Sequence, residues 1–223
     1  MQRLDRLASL GLLSAGMAHE IKNSLVAVNT FVGRLLENGE DQQFSETVRR
    51  ELRRIDTLVS QMLRFAAPGK NELATVHVHD LLDHSLRLVE HQLHSKLVSL
   101  NRHYTATPDT VSGDEYQLQQ AFMNLLFNAI EAVGMNGALT LSTEIAGEKP
   151  RVRRLCIHIH DTGMGILPEN LPHLFEPFFT TKKNGTGLGL AICQRIVHEH
   201  GGDITAQSEN KNGATFSISL PAL

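Results

Sequence analysis

The chain has 223 residues, room for one large domain or two small ones, and its composition of 41% hydrophobic and 20% charged residues suits a chain able to bury a core. A formal net charge of -3 gives no support to a nucleic-acid partner, which would need a strongly basic face. Cys156 and Cys193 stand far apart and match no metal or redox spacing, so both read as free thiols in a reducing compartment.

At the start, Arg3 and Arg6 followed by "LASLGLLSAGMA" imitate the parts of a signal peptide, but Asp5 fits poorly and the helical pattern runs on past any cleavage site. No uncharged run reaches the ~18 residues that a membrane span needs. Leu4, Leu7, Gly11, Ser14, Ala18, Ile21, Leu25, Val28, Val32 and Leu35 alternate at spacings of three and four, which is a heptad seam. His19 and Glu20 fall just off that seam and Asn23 lies on the polar side, so the imidazole is open to solvent. "ENGED" (37–41) breaks the pattern, and a second seam follows through Val48, Leu52, Ile55, Val59, Met62 and Ala66. Two such helices form a hairpin over 1–67. Its long apolar stripes are best covered by a symmetric dimer that closes a four-helix bundle. Pro68 and Gly69 end the helix and open a linker over 68–74.

From 75 to 223 the texture changes. "TVHVH" alternates like a strand, Asp80 to His94 is helical, "LVSLNRHY" is strand-like, and Asp114 to Val133 is a strong helix. "ALTLSTEI" and "RLCIHIHD" alternate as strands, a helix runs from about Leu188 to His200, and "DITAQSE" and "ATFSISLP" read as a strand pair. The mixture lacks a βαβ rhythm, which points to an α+β sandwich with helices on one face of a sheet.

Three segments carry chemistry. "NGTGLGLAI" puts Gly185, Gly187 and Gly189 at the mouth of a helix, where outward N–H groups and the helix partial charge make an anion site. It is neither a P-loop nor a Rossmann fingerprint, and no H-R-D or D-F-G set accompanies it. "NLLFNAIEA" places Asn124 and Asn128 at i and i+4 on one helix face, and an amide oxygen is a hard ligand that can share Mg²⁺ with triphosphate oxygens. "HDTGMGI" ends a strand on Asp161, whose carboxylate can accept from an adenine amino group, before Gly163 and Gly165.

With these segments in order, the chain resembles the catalytic core of the sensor histidine kinases of two-component signalling, most closely the nitrogen-regulation type. "AHEIKN" is similar to the H-box, "NLLFNAIEA" to the N-box, "DTGMGI" to the G1 box, "FEPFFTTK" to the F-box and "GTGLGLAI" to the G2 box. The resemblance implies a helical hairpin that dimerises and accepts phosphate, followed by the sandwich ATP-binding domain shared with gyrase and heat-shock ATPases. It implies ATP and Mg²⁺ as cofactors, a homodimer, and the receiver domain of a response regulator as partner. His19 is then the phosphoacceptor, Glu20 its general base, and Asn23 the amide that serves dephosphorylation of the regulator. Asn128 holds Mg²⁺ with Asn124 in support. Asp161 reads adenine with help from Thr215, and Gly163 and Gly165 hinge a lid. Gly185, Gly187, Leu188 and Gly189 line the phosphates. Thr181, Lys182 and Lys183 sit in the lid, where either lysine reaches the γ-phosphate. The implied location is cytoplasmic, with any membrane anchor in an upstream sensor region outside this chain.

Three departures stand out: Ser24 replaces the usual proline that would bend the first helix, Glu131 stands where many relatives carry lysine, and Ala132 replaces an aromatic residue. Related ATPases carry a glutamate at the position of Asn124 to activate water; an amide cannot take that proton. Serine kinases with this fold lack the H-box hairpin, and a non-catalytic scaffold would not need every box intact. Glu90, His91 and His94 on one helix face, and His158 with His160 on one strand face, read as surface histidines rather than zinc ligands, since no fourth ligand accompanies them.

Overall fold

The computed structural model describes residues 73–147, 153–182, 185–208 and 213–223, with isolated positions at 26, 30, 32 and 52. The chain divides into two compact units, Met1–Gly69 and Lys70–Leu223. Of the first, only the isolated positions are described. Val26, Thr30, Val32 and Leu52 are helical and exposed. The sites expected at His19, Glu20 and Asn23 lie outside the described residues, as do Lys183 and Asn184.

The second unit opens with β1 (Ala74–His77), which starts inside the expected linker, and runs straight into helix α1 (Val78–Ser95). The alternation of "TVHVH" stops at His77 because Val78 belongs to the helical period of Leu81, Leu82, Leu86, Val89 and Leu93, all buried. His77 supplies no side-chain cap. Asp109, 32 residues on, caps the helix instead: its carbonyl accepts from Val78 N–H at 2.9 Å and its carboxylate from His79 N–H at 3.3 Å.

After a turn at Leu97, whose φ is 55°, come β2 (Ser99–Tyr104) and β3 (Thr110–Gly113). Strand β3 pairs antiparallel with β1 as a separate two-stranded sheet. Helix α2 (Glu115–Val133) follows, then β4 (Ala138–Ala146) and β5 (Arg154–Asp161). A short 3-10 turn (Leu171–His173) leads to α3 (Gly189–Glu199), β6 (Asp203–Ser208) and β7 (Ala214–Pro221).

The main sheet has the order β2-β4-β5-β7-β6, with β2 parallel to β4 and every other pair antiparallel. Helix α2 is the centre of the helical layer, touching α1, α3, β4 and β5. Leu118, Ala121, Phe122, Leu125, Leu126, Ala129 and Ile130 of α2 are all 0 or 1% exposed. Full burial of one Leu, Ile or Phe side chain contributes about 1.5–3 kcal/mol, so this stripe dominates the docking of α2 on the sheet. The strands obey period two. Leu155, Ile157, Ile159 and Asp161 of β5, and Ala214, Phe216, Ile218 and Leu220 of β7, turn to the helices and are buried. The intervening residues face away and are half-buried; there His158 pairs with the Ser217 hydroxyl at 2.8 Å and His160 with the Thr215 hydroxyl at 3.0 Å. Among the described residues no helix is long and apolar enough to cross a membrane, and no cluster of three metal-ligating side chains forms.

Candidate functional site

Asp161 is the last residue of β5, and strand parity turns it to the helical side, where it is 1% exposed. Its Oδ1 accepts from Gly163 N–H at 2.8 Å. Burial pushes its pKa up, and the backbone N–H groups of Gly163 and Ala214 offset only part of that rise. The carboxylate is therefore under-solvated, with little besides two amides to stabilise its charge. Gly163 lies against the end of α2: a Cβ there would stand 2.5 Å from the Ala132 carbonyl. This close approach brings the strand end to the face of α2 that carries the two asparagines.

Asn124 and Asn128 are both half-buried. Asn124 Nδ2 donates to the Gly189 carbonyl at 3.1 Å and so ties α2 to the first residue of α3. Asn128 Oδ1 accepts from Lys182 Nζ at 2.9 Å, and the same ammonium forms an ion pair with Glu131. The loop that delivers Lys182 is held by backbone contact. Phe178 N–H donates to the Gly187 carbonyl at 3.0 Å, and Gly187 has φ +66° with its Cβ position 2.3 Å from the Phe178 carbonyl carbon. Only glycine meets both demands. The Thr180 hydroxyl accepts from Lys182 N–H at 3.1 Å, and Thr181 is exposed.

Leu188, which precedes α3, offers no side-chain cap to the first turn of that helix. The helix start keeps its partial positive charge for an anion. The side chain of Leu188 is 2% exposed and belongs to the core, so only its backbone borders the loop. An under-solvated carboxylate, two amides, an ammonium and a helix N-terminus suit a ligand with an amino-bearing ring at one end and several negative charges at the other. The Asn128 oxygen already accepts from one cation, so its orientation fits a hard metal ion as well.

The expectation that Thr215 assists Asp161 is corrected. Ala214, not Thr215, stands opposite Asp161 in the β5–β7 register, so Thr215 projects from the other face, where its hydroxyl meets His160. Two residues of the site escaped the sequence. Ser208 Oγ accepts from Ile166 N–H at 2.8 Å and donates to the Gly213 carbonyl at 2.7 Å, tying the loop after Asp161 to the β6–β7 turn. Gly213 has φ +83° and presses on the Asp161 carbonyl so closely that a Cβ would overlap it. The turn residues "NGAT" were the available signal for Gly213; nothing local marks Ser208.

Comparison with known proteins identifies the family. Residues 113–223 match the family described as histidine kinase-, DNA gyrase B-, and HSP90-like ATPase, and residues 9–71 match the His Kinase A (phospho-acceptor) domain. The sensor histidine kinase ZraS of Salmonella typhimurium is 36% identical over 227 residues, covering 100% of this chain and 48% of that protein. The chain thus spans about half the length of the curated relatives it matches. Among solved structures, the catalytic domain of histidine kinase ThkA is 30% identical with a TM-score of 0.60, covering 67% of this chain and 95% of that one. ThkA in complex with the response regulator protein TrrA gives a TM-score of 0.81 at 27% identity, over 99% of this chain and 64% of that one. ShkA in complex with AMPPNP gives 0.65 at 27% identity, over 96% and 45%. Two family matches in the expected order, on a fold whose site has this chemistry, place the chain among the sensor histidine kinases of two-component signalling.

Proposed function

We propose that the chain binds Mg-ATP in the 75–223 domain and transfers the γ-phosphoryl group to His19 of the 1–67 hairpin, from which it passes to an aspartate of a response regulator. The observation that carries this reading is Asp161, a carboxylate buried at a strand end beside Gly163 and aimed where an amino-bearing ring would complete its solvation. Asn128 holds Mg²⁺ through its amide oxygen, with Asn124 in support. When bound, Mg²⁺ supplies neutralisation of the triphosphate charge. The N-terminus of α3 and Lys182 face the phosphates.

In the transfer, a ring nitrogen of His19 forms the new bond to phosphorus, the bond from phosphorus to the bridging oxygen breaks, and ADP leaves. Glu20 accepts from the other ring nitrogen and raises the nucleophilicity of the attacking one. Asn23, one helical turn past His19, orients a water for dephosphorylation of the regulator, because an amide is too weak a base to do more. Two copies of the chain close a four-helix bundle; Val32 and Leu52, on the two apolar seams, are 41% and 48% exposed in the single chain. The response-regulator complex of ThkA and the AMPPNP complex of ShkA support the partner and the nucleotide by analogy.

The test is incubation with γ-labelled Mg-ATP. The label should be lost in acid, survive alkali, and be absent from His19→Gln, while that variant binds nucleotide as the parent does. Labelling that persists in His19→Gln would remove His19 as acceptor.

A further inference from the structure

Lys182 has two partners that make opposite demands. Asn128 Oδ1, 2.9 Å from its Nζ, is the oxygen assigned above to Mg²⁺, and an ammonium and a metal ion repel each other if they share one acceptor. Glu131, three residues further along α2, projects to the same side as Asn128 and forms the ion pair that keeps the ammonium there. Next to a polyphosphate a carboxylate is unfavourable, so Glu131 needs a reason to stand at this place. The pair is weak enough to be reversible: its side chains are 45% and 60% exposed, and such pairs contribute little to stability. The Thr180 hydroxyl turns the chain locally by accepting from Lys182 N–H, and four residues upstream Phe178 N–H ties the loop to the Gly187 carbonyl. A long side chain whose charged tip is weakly held is suited to a cation that changes partners.

We propose that Glu131 is a positioning residue that holds the Lys182 ammonium on the Asn128 oxygen, so that arrival of Mg-nucleotide exchanges one cation for another at Asn128 and hands Lys182 to the terminal phosphate. The proposal rests on the nucleotide-site reading above. It makes Asn128 the point of exchange, and it makes the preference for a triphosphate depend on Glu131 through Lys182 rather than through charge alone.

The experiment uses the full chain and titrates Mg-AMPPNP and Mg-ADP. Lys182→Met should lower the ratio of the two affinities about tenfold, as for loss of a charge-assisted hydrogen bond. Glu131→Gln should raise it about threefold in the parent, the size of an exposed ion pair that no longer has to be broken, and change nothing further in the Lys182→Met background. Side chains 131 and 182 meet at one point, so Glu131→Lys in the Lys182→Met background should plant a new ammonium there and restore most of the ratio. In the nucleotide-free chain, the side-chain amide resonance of Asn128 should shift in both Lys182→Met and Glu131→Gln. Equal effects of Glu131→Gln in both backgrounds, no rescue by Glu131→Lys, or an unmoved Asn128 amide would overturn the proposal while leaving the nucleotide site intact. A parent chain that binds neither nucleotide overturns the site reading itself.

Discussion

The two ends of α2 carry polar groups that are treated in opposite ways. At the N-terminal end the Asp114 carboxylate accepts from Gln117 N–H at 3.1 Å and from Gln117 Nε2 at 2.9 Å, while Asp114 N–H donates to His200 Nε2 at 2.9 Å. His200 is 8% exposed, and its Nδ1 in turn donates to the Ile196 carbonyl at 2.7 Å. Both ring nitrogens are spoken for, Nε2 as acceptor and Nδ1 as donor. From the middle of α2 to its other end Asn124, Asn128 and Glu131 stand half-buried or exposed, and the ammonium that Asn128 and Glu131 share lies on a loop outside the helical layer. A polar group whose bonds close within the protein holds the fold together. One with open capacity is held ready for a ligand, and the fold forgoes stability there.

The largest effect is expected at the open end. Asp161→Asn should weaken nucleotide binding about 100-fold by titration, since it removes an ionised acceptor from a buried site. The same change should leave the melting temperature of the nucleotide-free chain equal or higher, because burial penalises the ionised carboxylate. The pH dependences run oppositely. With a raised folded-state pKa, the contribution of Asp161 to stability is full below the unfolded pKa and is lost as pH rises through the folded one. Nucleotide affinity needs the carboxylate and falls as pH drops through that same raised value. A marked loss of melting temperature in Asp161→Asn would put Asp161 with the closed groups and break the comparison.

At the closed end, His200→Ala should lower unfolding free energy in urea by about 2–4 kcal/mol, through lost packing and a stranded Asp114 N–H, with nucleotide affinity of the folded protein unchanged. The smallest effect belongs to Asp114→Ala, about 1 kcal/mol for a lost helix cap. It sharpens the contrast if His200→Ala and Asp114→Ala together cost less than their sum, as expected for residues in one network.

The helices α1 and α2 and the strands β4, β5 and β7 were legible because their apolar spacing is a local property of consecutive residues. Asp161, Asn124, Asn128 and the glycines could be singled out as candidates because phosphate and adenine chemistry demands particular residue types in short runs. Strand β3 was not, since four residues between a loop and a helix become a strand only by pairing with β1. Nor was the cap of α1, because its acceptor, Asp109, arrives from 32 residues away. Thr215 shows the limit at the site itself. The family resemblance suggested a ligand contact, but the register of β7 against β5 decides which residue stands across from Asp161, and it chose Ala214.

By itself the sequence determined most of the succession of elements, the face that the helices and long strands turn to the core, and the candidate residues of the proposed nucleotide site. Only the tertiary structure decided how those residues are used: that Asn124 joins α2 to α3, that Gly213 presses on Asp161, and that Lys182 crosses to Asn128 and Glu131 over separations of 54 and 51 residues. Periodicity is read from neighbours along the chain, whereas a meeting of distant side chains depends on strand register and loop closure, which no short stretch of sequence contains.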